Sequence, residues 1–157
     1  MAENLFPEDA PEITPAELIS LENRPVGYME GVYFDETIGD YARDGQNRLI
    51  SATRLESWEQ WCINCIMTER EAYPAYGGLF GVRTIEAFKA HSREEAESIL
   101  TLEITEGLMN DPYGRTEAVE AIDYNWSGPD VLEIKVTVKG TDDVSIDLTA
   151  VLDQRAR

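Results

Sequence analysis

The sequence has few of the side chains on which most catalytic and metal sites depend. His91 is its only histidine, and Cys62 and Cys65 are its only cysteines. Zinc takes about four ligands, more than this set supplies, and Ser or Cys nucleophiles here lack a neighbouring imidazole base. Two thiols three positions apart close too small a loop to stabilise a fold, which indicates synthesis in a reducing cytosol. We therefore expect neither a metal nor a cofactor.

Positive charge and long apolar runs are also scarce. The 13 Lys and Arg are outnumbered by 31 Asp and Glu, which gives a net charge of −18. Such a surface repels phosphate and argues against nucleic-acid binding, while it can attract basic partners. No apolar run approaches the roughly 20 residues of a transmembrane helix, so we expect no membrane association. The first residues are acidic and Pro-rich, the reverse of a secretion signal.

What is present indicates one folded domain behind an extended arm. Residues 1–25 contain four prolines among carboxylates and no periodicity, and we interpret them as an acidic arm that is disordered unless it docks on a partner. Residues 26–157 are expected to form a single α+β domain, because 43 % of the chain is hydrophobic and allows a sizeable core. Strands predicted over 28–34 and 40–43, with a turn at Asp44-Gly45, form a hairpin near its start.

Two capping boxes predict the main helices. Thr53-x-x-Glu56 marks the start of a helix that ends near Met67, and Ser92-x-x-Glu95 marks a second that ends before Pro112. Apolar side chains recur along each at helical spacing. The stripe of the first helix comprises Leu55, Trp58, Cys62, Cys65 and Ile66, and that of the second comprises Ala96, Ile99, Leu100, Ile104 and Leu108.

The cysteines form a Trp-Cys-x-x-Cys pattern that is typical of thiol-disulfide active sites. Such a site needs its first cysteine at a helix N-terminus, where free N–H groups lower the thiol pKa. Here Cys62 falls in about the third turn of a helix, where no free N–H groups remain. Both thiols also lie on the apolar stripe. We expect them to pack in the core, and a thiol oxidoreductase that uses Cys62 and Cys65 remains an alternative.

The C-terminal third alternates apolar and polar residues in three runs. The runs start near Ile122, Leu132 and Val144, with turns at 127–130 and 139–143. This period of two predicts a three-stranded meander with one buried and one wet face. The expected fold is therefore α+β, with two main helices packed on a mixed or antiparallel sheet.

Several motifs in order resemble a known family. A helix runs into Thr68-Glu69-Arg70, an aromatic-Gly pair follows at Tyr76-Gly77, and a second apolar helix spans Ser92 to Met109. Asp111-Pro112 with Arg115 comes next, and alternating strands run to Leu152. Over residues 28–152 the chain resembles the small baseplate wedge proteins, or sheath initiators, of contractile phage tails and related injection machines. The family's commonest form has Glu-Pro-Arg contiguous, whereas this chain separates Pro112 from Arg115.

The resemblance implies a structural, non-enzymatic role in a virion baseplate or a bacteriocin or injection particle, assembled in the bacterial cytoplasm. Six copies are expected around the base of the tail tube, held by larger wedge proteins, and each copy offers a sheet that sheath subunits join by strand exchange. The same resemblance implies a set of residues that bind the wedge or its core bundle. These are Glu69, Arg70, Asp111, Pro112 and Arg115.

An open sheet edge supports strand exchange on physical grounds, because it is a template for another chain's strand. The last predicted strand ends just short of the C-terminus, so little chain remains to cover it, and we expect it to be the joining edge. Its predicted pairing residues are Val144, Ile146, Leu148, Ala150 and Leu152.

Three questions stay open at this point. The first is whether Glu69 and Arg70 bind a partner, join Asp111 and Arg115 in a network, or form a local salt bridge worth about 1 kcal/mol or less. The loop aromatics Tyr73, Tyr76 and Phe80 close the core or anchor a partner. A tail-associated peptidoglycan hydrolase that uses Glu69 and a second carboxylate is the main competing function.

Overall fold

The computed structural model describes residues 27–35 and 37–154. The fold class is α+β, as the sequence predicts. The predicted acidic arm over residues 1–25 lies outside the described residues. No helix in the described part of the chain is both long and apolar enough to cross a membrane.

The N-terminal hairpin region consists of short strands. They span Gly31–Val32 (β1), Phe34–Asp35 (β2), Asp40–Tyr41 (β3) and Ser51–Ala52 (β4). β2 and β3 pair antiparallel through Phe34 and Tyr41, and β1 pairs with β4. An isolated bridge between Arg43 and Leu49 continues the pairing.

Both predicted helices are confirmed with their caps. Helix α1 spans Arg54–Met67, and the Thr53 and Glu56 side chains bond each other's backbone N–H groups as a full capping box. A short helix, α2, spans Thr84–Phe88. Helix α3 spans Arg93–Met109, and the Ser92 hydroxyl accepts from Glu95 N. The Glu95 carboxylate instead accepts from His91 N, so this second box is shifted by one residue.

The C-terminal meander is an antiparallel sheet with the order β5-β6-β7. β5 spans Thr116–Trp126, β6 spans Val131–Gly140 and β7 spans Ser145–Asp153. A 3-10 turn at Thr141–Asp143 joins β6 to β7. β5 begins earlier than the alternation from Ile122 predicts, because two register shifts near its start interrupt the period of two.

The core lies between one face of this sheet and the two long helices. α1 packs mainly against β7, and α3 packs against β5. Cys62 and Cys65 are fully buried in this layer, as predicted. The prediction was wrong for Leu55, which is 41 % exposed. The first turn of α1, where Leu55 lies, borders an open hollow beside Val144.

Candidate functional site

β7 forms one margin of the meander. It pairs with β6 through a continuous antiparallel register from Val131↔Asp153 to Lys139↔Ser145, with no shift. Among the residues that the structure describes, no strand pairs with its other side. β7 is therefore an edge strand of nine residues without a bulge, and such an edge is a template for another strand.

The direction of the backbone groups along β7 follows from two terminal hydrogen bonds. Gly140 N donates to Val144 O at 2.7 Å, and at the other end Gln154 N donates to Asp130 O at 3.0 Å. Opposite residues in an antiparallel pair alternate between hydrogen-bonded and non-bonded positions. Because the register is unbroken, every even-numbered residue of β7 bonds to β6, and every odd-numbered residue directs its N–H and C=O outward.

This geometry corrects the predicted pairing residues. The residues expected to pair with a partner strand have their backbone groups bonded to β6, and their side chains are the ones packed toward the helices. They are Val144, Ile146, Leu148, Ala150 and Leu152. The outward backbone groups belong to the intervening residues, whose side chains are exposed. These are Ser145, Asp147, Thr149 and Val151.

The opposite margin, β5, is a poorer template. Register shifts fall between Thr116 and Ala118 and between Val119 and Ala121, and bulges of this kind twist an edge away from further pairing. The two margins therefore differ in regularity, and only β7 offers an unbroken edge.

The two sides of the β7 edge differ in chemistry. On the solvent side, the Asp147 carboxylate accepts a hydrogen bond from Thr137 Oγ1 at 2.8 Å, and Val151 is 50 % exposed. On the helix side, a hollow of about 570 Å³ is lined in part by Tyr28, Leu55 and Val144. A strand added to β7 would therefore meet mostly polar side chains on the solvent face, and the apolar side chains of the hollow at the Val144 end of the other face.

Arg70 is buried and bonded to α3. Its Nη1 donates to Glu106 Oε2 at 2.6 Å and its Nε to Gly81 O at 3.0 Å, while Glu103 Oε2 lies 3.4 Å from Nε. The hydrogen bond from Arg70 and its charge lower the pKa of the Glu106 carboxyl below its ordinary value. Sequence reasoning missed both glutamates. The sequence did indicate that Glu103 is buried and needs a partner, because this carboxylate falls between Leu100 and Ile104 on an apolar stripe.

The Glu69 side chain reaches from the loop after α1 to the start of α2. Its Oε2 accepts from Thr84 N at 3.0 Å and Ile85 N at 3.2 Å, and also from the Thr84 hydroxyl. The carboxylate therefore joins the loop after α1 to the first turn of α2. These are the contacts of a residue that fixes a loop, and none of them favours the hydrolase alternative.

Asp111 and Arg115 form a second buried ion pair. Arg115 Nε donates to Asp111 Oδ2 at 2.8 Å and Nη2 donates to Oδ1 at 2.9 Å, a bidentate geometry. The Arg115 backbone N–H donates to the same carboxylate at 2.8 Å, so the pair closes the turn that carries exposed Pro112. Arg70 and Arg115 thus bind different carboxylates. Wedge binding by these residues stays a prediction, and the exposed Pro112 is its most accessible member.

The thiols of Cys62 and Cys65 are shielded from solvent. Burial raises the pKa of both, which disfavours the thiolate that redox chemistry and metal binding require. This environment fits packing side chains of the α1 stripe.

Neither the protein-family models nor the curated proteins contain a match to this chain. The family resemblance therefore depends on the order and spacing of its motifs alone. The geometry of the β7 edge is the independent observation from which function can be argued.

Proposed function

We propose that this protein is a structural baseplate component of a contractile tail or injection particle, which docks on wedge proteins and templates sheath polymerisation by strand addition. The observation that carries the proposal is the regular outer edge of β7, where Ser145, Asp147, Thr149 and Val151 direct their backbone groups outward. Strand addition uses main-chain hydrogen bonds for affinity and alternate side chains for register.

The energetics suit an assembly that joins many weak contacts. Each main-chain hydrogen bond contributes about 0.5–1.5 kcal/mol net, so a strand joined along this edge gains several kcal/mol before the ordering cost. Apolar side chains that enter the hollow beside Leu55 and Val144 add burial on the helix side. In a ring of copies, attachment at one copy raises the effective concentration of sheath strands at the next, which strengthens attachment of the whole ring.

Docking on the wedge is proposed for the turn at Pro112. The buried Asp111–Arg115 pair holds this turn, and the Arg115 guanidinium lies 5.0 Å from the ring centroid of Tyr113. A turn fixed in this way presents Pro112 without a large ordering cost on binding.

The decisive variant is Thr149→Pro. Its N–H points away from β6, so proline keeps the internal ladder while it removes one outward donor and places its ring at the joining edge. We expect this variant to fold and to dock on wedge proteins but to nucleate no sheath, as counted by electron microscopy of the assembled particles.

Thr149→Val is the matched control, because it removes the hydroxyl and keeps the outward N–H. Sheath should polymerise from this variant as from the parent. A proline at Ile146, by contrast, would break the β6–β7 ladder and destabilise the sheet itself. Full-length sheath on Thr149→Pro particles would overturn the proposed function.

A further inference from the structure

A second exposed surface lies on the side of α1 away from the sheet. It is a groove of about 320 Å³ between α1 and the N-terminal strands. Within it, Tyr41 is 50 % and Tyr76 is 51 % exposed, values high for aromatic side chains that share one cleft. Its main lining residues are Val32, Phe34, Tyr41, Trp61, Asn64 and Tyr76. We refer to these six residues as the aromatic groove.

Ring contacts hold the aromatic groove in place. The ring centroids of Trp61 and Phe80 lie 5.8 Å apart, and those of Tyr76 and Phe80 lie 4.8 Å apart. On another side, the buried Arg115 guanidinium lies 5.5 Å from the centre of the Trp61 ring. Trp61 is therefore fixed between Phe80 and Arg115, and the groove is preorganised for a ligand.

The groove offers polar side-chain groups beside its aromatic rings. The hydroxyls of Tyr41 and Tyr76, the Trp61 indole N–H and the Asn64 amide belong to lining residues and can donate hydrogen bonds. They meet a ligand as side-chain groups from a helix, a hairpin and a loop. A ligand with exposed carbonyl oxygens can therefore accept hydrogen bonds from these groups while its apolar atoms lie against the rings.

One end of the groove is acidic. Phe34 also lines a neighbouring hollow of about 380 Å³, whose lining residues include Asp35, Glu59 and the capping-box residue Glu56. The groove itself is lined by uncharged side chains. A ligand that spans both hollows would therefore combine apolar residues with a cationic end.

We propose that the aromatic groove and its acidic end bind a proline-rich segment of a partner protein that carries Arg or Lys at one end. A polyproline II helix exposes its carbonyls, has few N–H groups and docks between aromatic rings at low entropic cost. The carboxylates of the neighbouring hollow bind the cation. The site is separate from the β7 edge and does not depend on the proposed strand addition.

The chain's own arm is a poor occupant on grounds of charge. Residues 1–25 are Pro-rich, but Arg24 is their only Lys or Arg among six carboxylates. Such a segment would bring carboxylates toward Asp35, Glu56 and Glu59. The arm therefore serves as a test ligand that should lose to a basic one.

The test is calorimetric titration of the full chain with a synthetic peptide of two Arg followed by three repeats of Pro-Pro-Leu. The comparison peptide has Glu in place of both Arg. We expect the basic peptide to bind at least about tenfold more tightly, and this ratio to shrink at high salt. Tyr76→Ala should weaken the basic peptide about tenfold, because it removes a central aromatic contact.

Matched variants separate the groove from general surface effects. Leu79→Ala removes an exposed apolar side chain of the same loop that does not line the groove, and it should leave binding unchanged. Glu59→Gln should weaken the basic peptide and should not weaken the Glu peptide, because it removes a negative charge that attracts Arg and repels Glu. Absence of binding, equal effects of Leu79→Ala and Tyr76→Ala, or tighter binding of a peptide of residues 1–25 would each overturn the proposal.

Discussion

At the scale of single residues, the two buried guanidiniums organise the loops around the core. Arg70 and Arg115 are 2 % and 3 % exposed in their side chains, and each is bonded to carboxylates of the same chain. A buried charge without its partner is far more costly than an exposed one, because the interior does not replace the lost hydration. Arg70 therefore connects the loop after α1 to α3 in the folded protein.

Replacement of Arg70 by Ala should cost between about 3 and 5 kcal/mol of unfolding free energy, since it leaves buried Glu103 with one partner fewer and Gly81 O without its donor. Arg83→Ala is the control. Arg83 also pairs with Glu103, but its side chain is 42 % exposed, so its loss should cost about 1 kcal/mol or less. Urea denaturation measures both. Equal losses of unfolding free energy in the two variants would contradict the claim that burial makes the ion pairs of Arg70 more stabilising than that of Arg83.

Sequence reasoning identified Arg70 and Arg115 but not how each is bonded. The Asp111–Arg115 pair is local, and its four-residue spacing is visible in the sequence. Arg70 bonds Glu106 across 36 positions, and the packing of α1 against α3 decides that contact. Long-range ion pairs depend on tertiary packing, which periodicity along one helix does not encode.

At the scale of elements, the loop between α1 and α2 depends on one glycine. Gly81 adopts φ +100°, and a Cβ there would lie 2.8 Å from Thr68 O. The same segment forms a parallel bridge in which Val82 N donates to Thr68 O at 2.9 Å and Arg70 N donates to Val82 O at 3.2 Å. The loop can therefore fold back along the end of α1 only because this position lacks a side chain.

Gly81→Ala should destabilise the protein by about 2 kcal/mol or more, because a left-handed backbone and a steric clash act together. Gly78→Ala is the control within the same loop, since a Cβ at that position would meet no other atom within 4 Å. Thermal unfolding followed by circular dichroism compares the two. A loss for Gly78→Ala as large as that for Gly81→Ala would contradict the steric explanation.

Local sequence signals predicted which helices and strands form better than they predicted which backbone groups lie at the edge of the sheet. The capping boxes and helical stripes defined α1 and α3, and alternation defined β6 and β7, because both signals reside in neighbouring residues. Which backbone groups of β7 face outward depends on the side on which β6 lies. That is a property of the sheet, so the expected pairing residues were displaced by one position.

At the scale of the whole molecule, α1 separates two of the proposed docking surfaces, the β7 edge and the aromatic groove. One face of α1 packs against β7, and the other carries Trp61 and Asn64 into the aromatic groove. Both surfaces border carboxylates in a chain with a net charge of −18, which favours basic partners and faster encounters with them. Strand addition and groove binding can therefore occur on the same copy without overlap.

The central claim, that β7 acts through its outward backbone groups, is tested most directly by residue-resolved amide hydrogen exchange. In the free chain, the amides of Asp147, Thr149 and Val151 should exchange rapidly, while those of Leu148 and Ala150 should be protected by β6. On joining sheath, the three outward amides should become protected and the inward two should stay so. Outward amides that exchange equally fast before and after sheath joins would contradict strand addition at this edge.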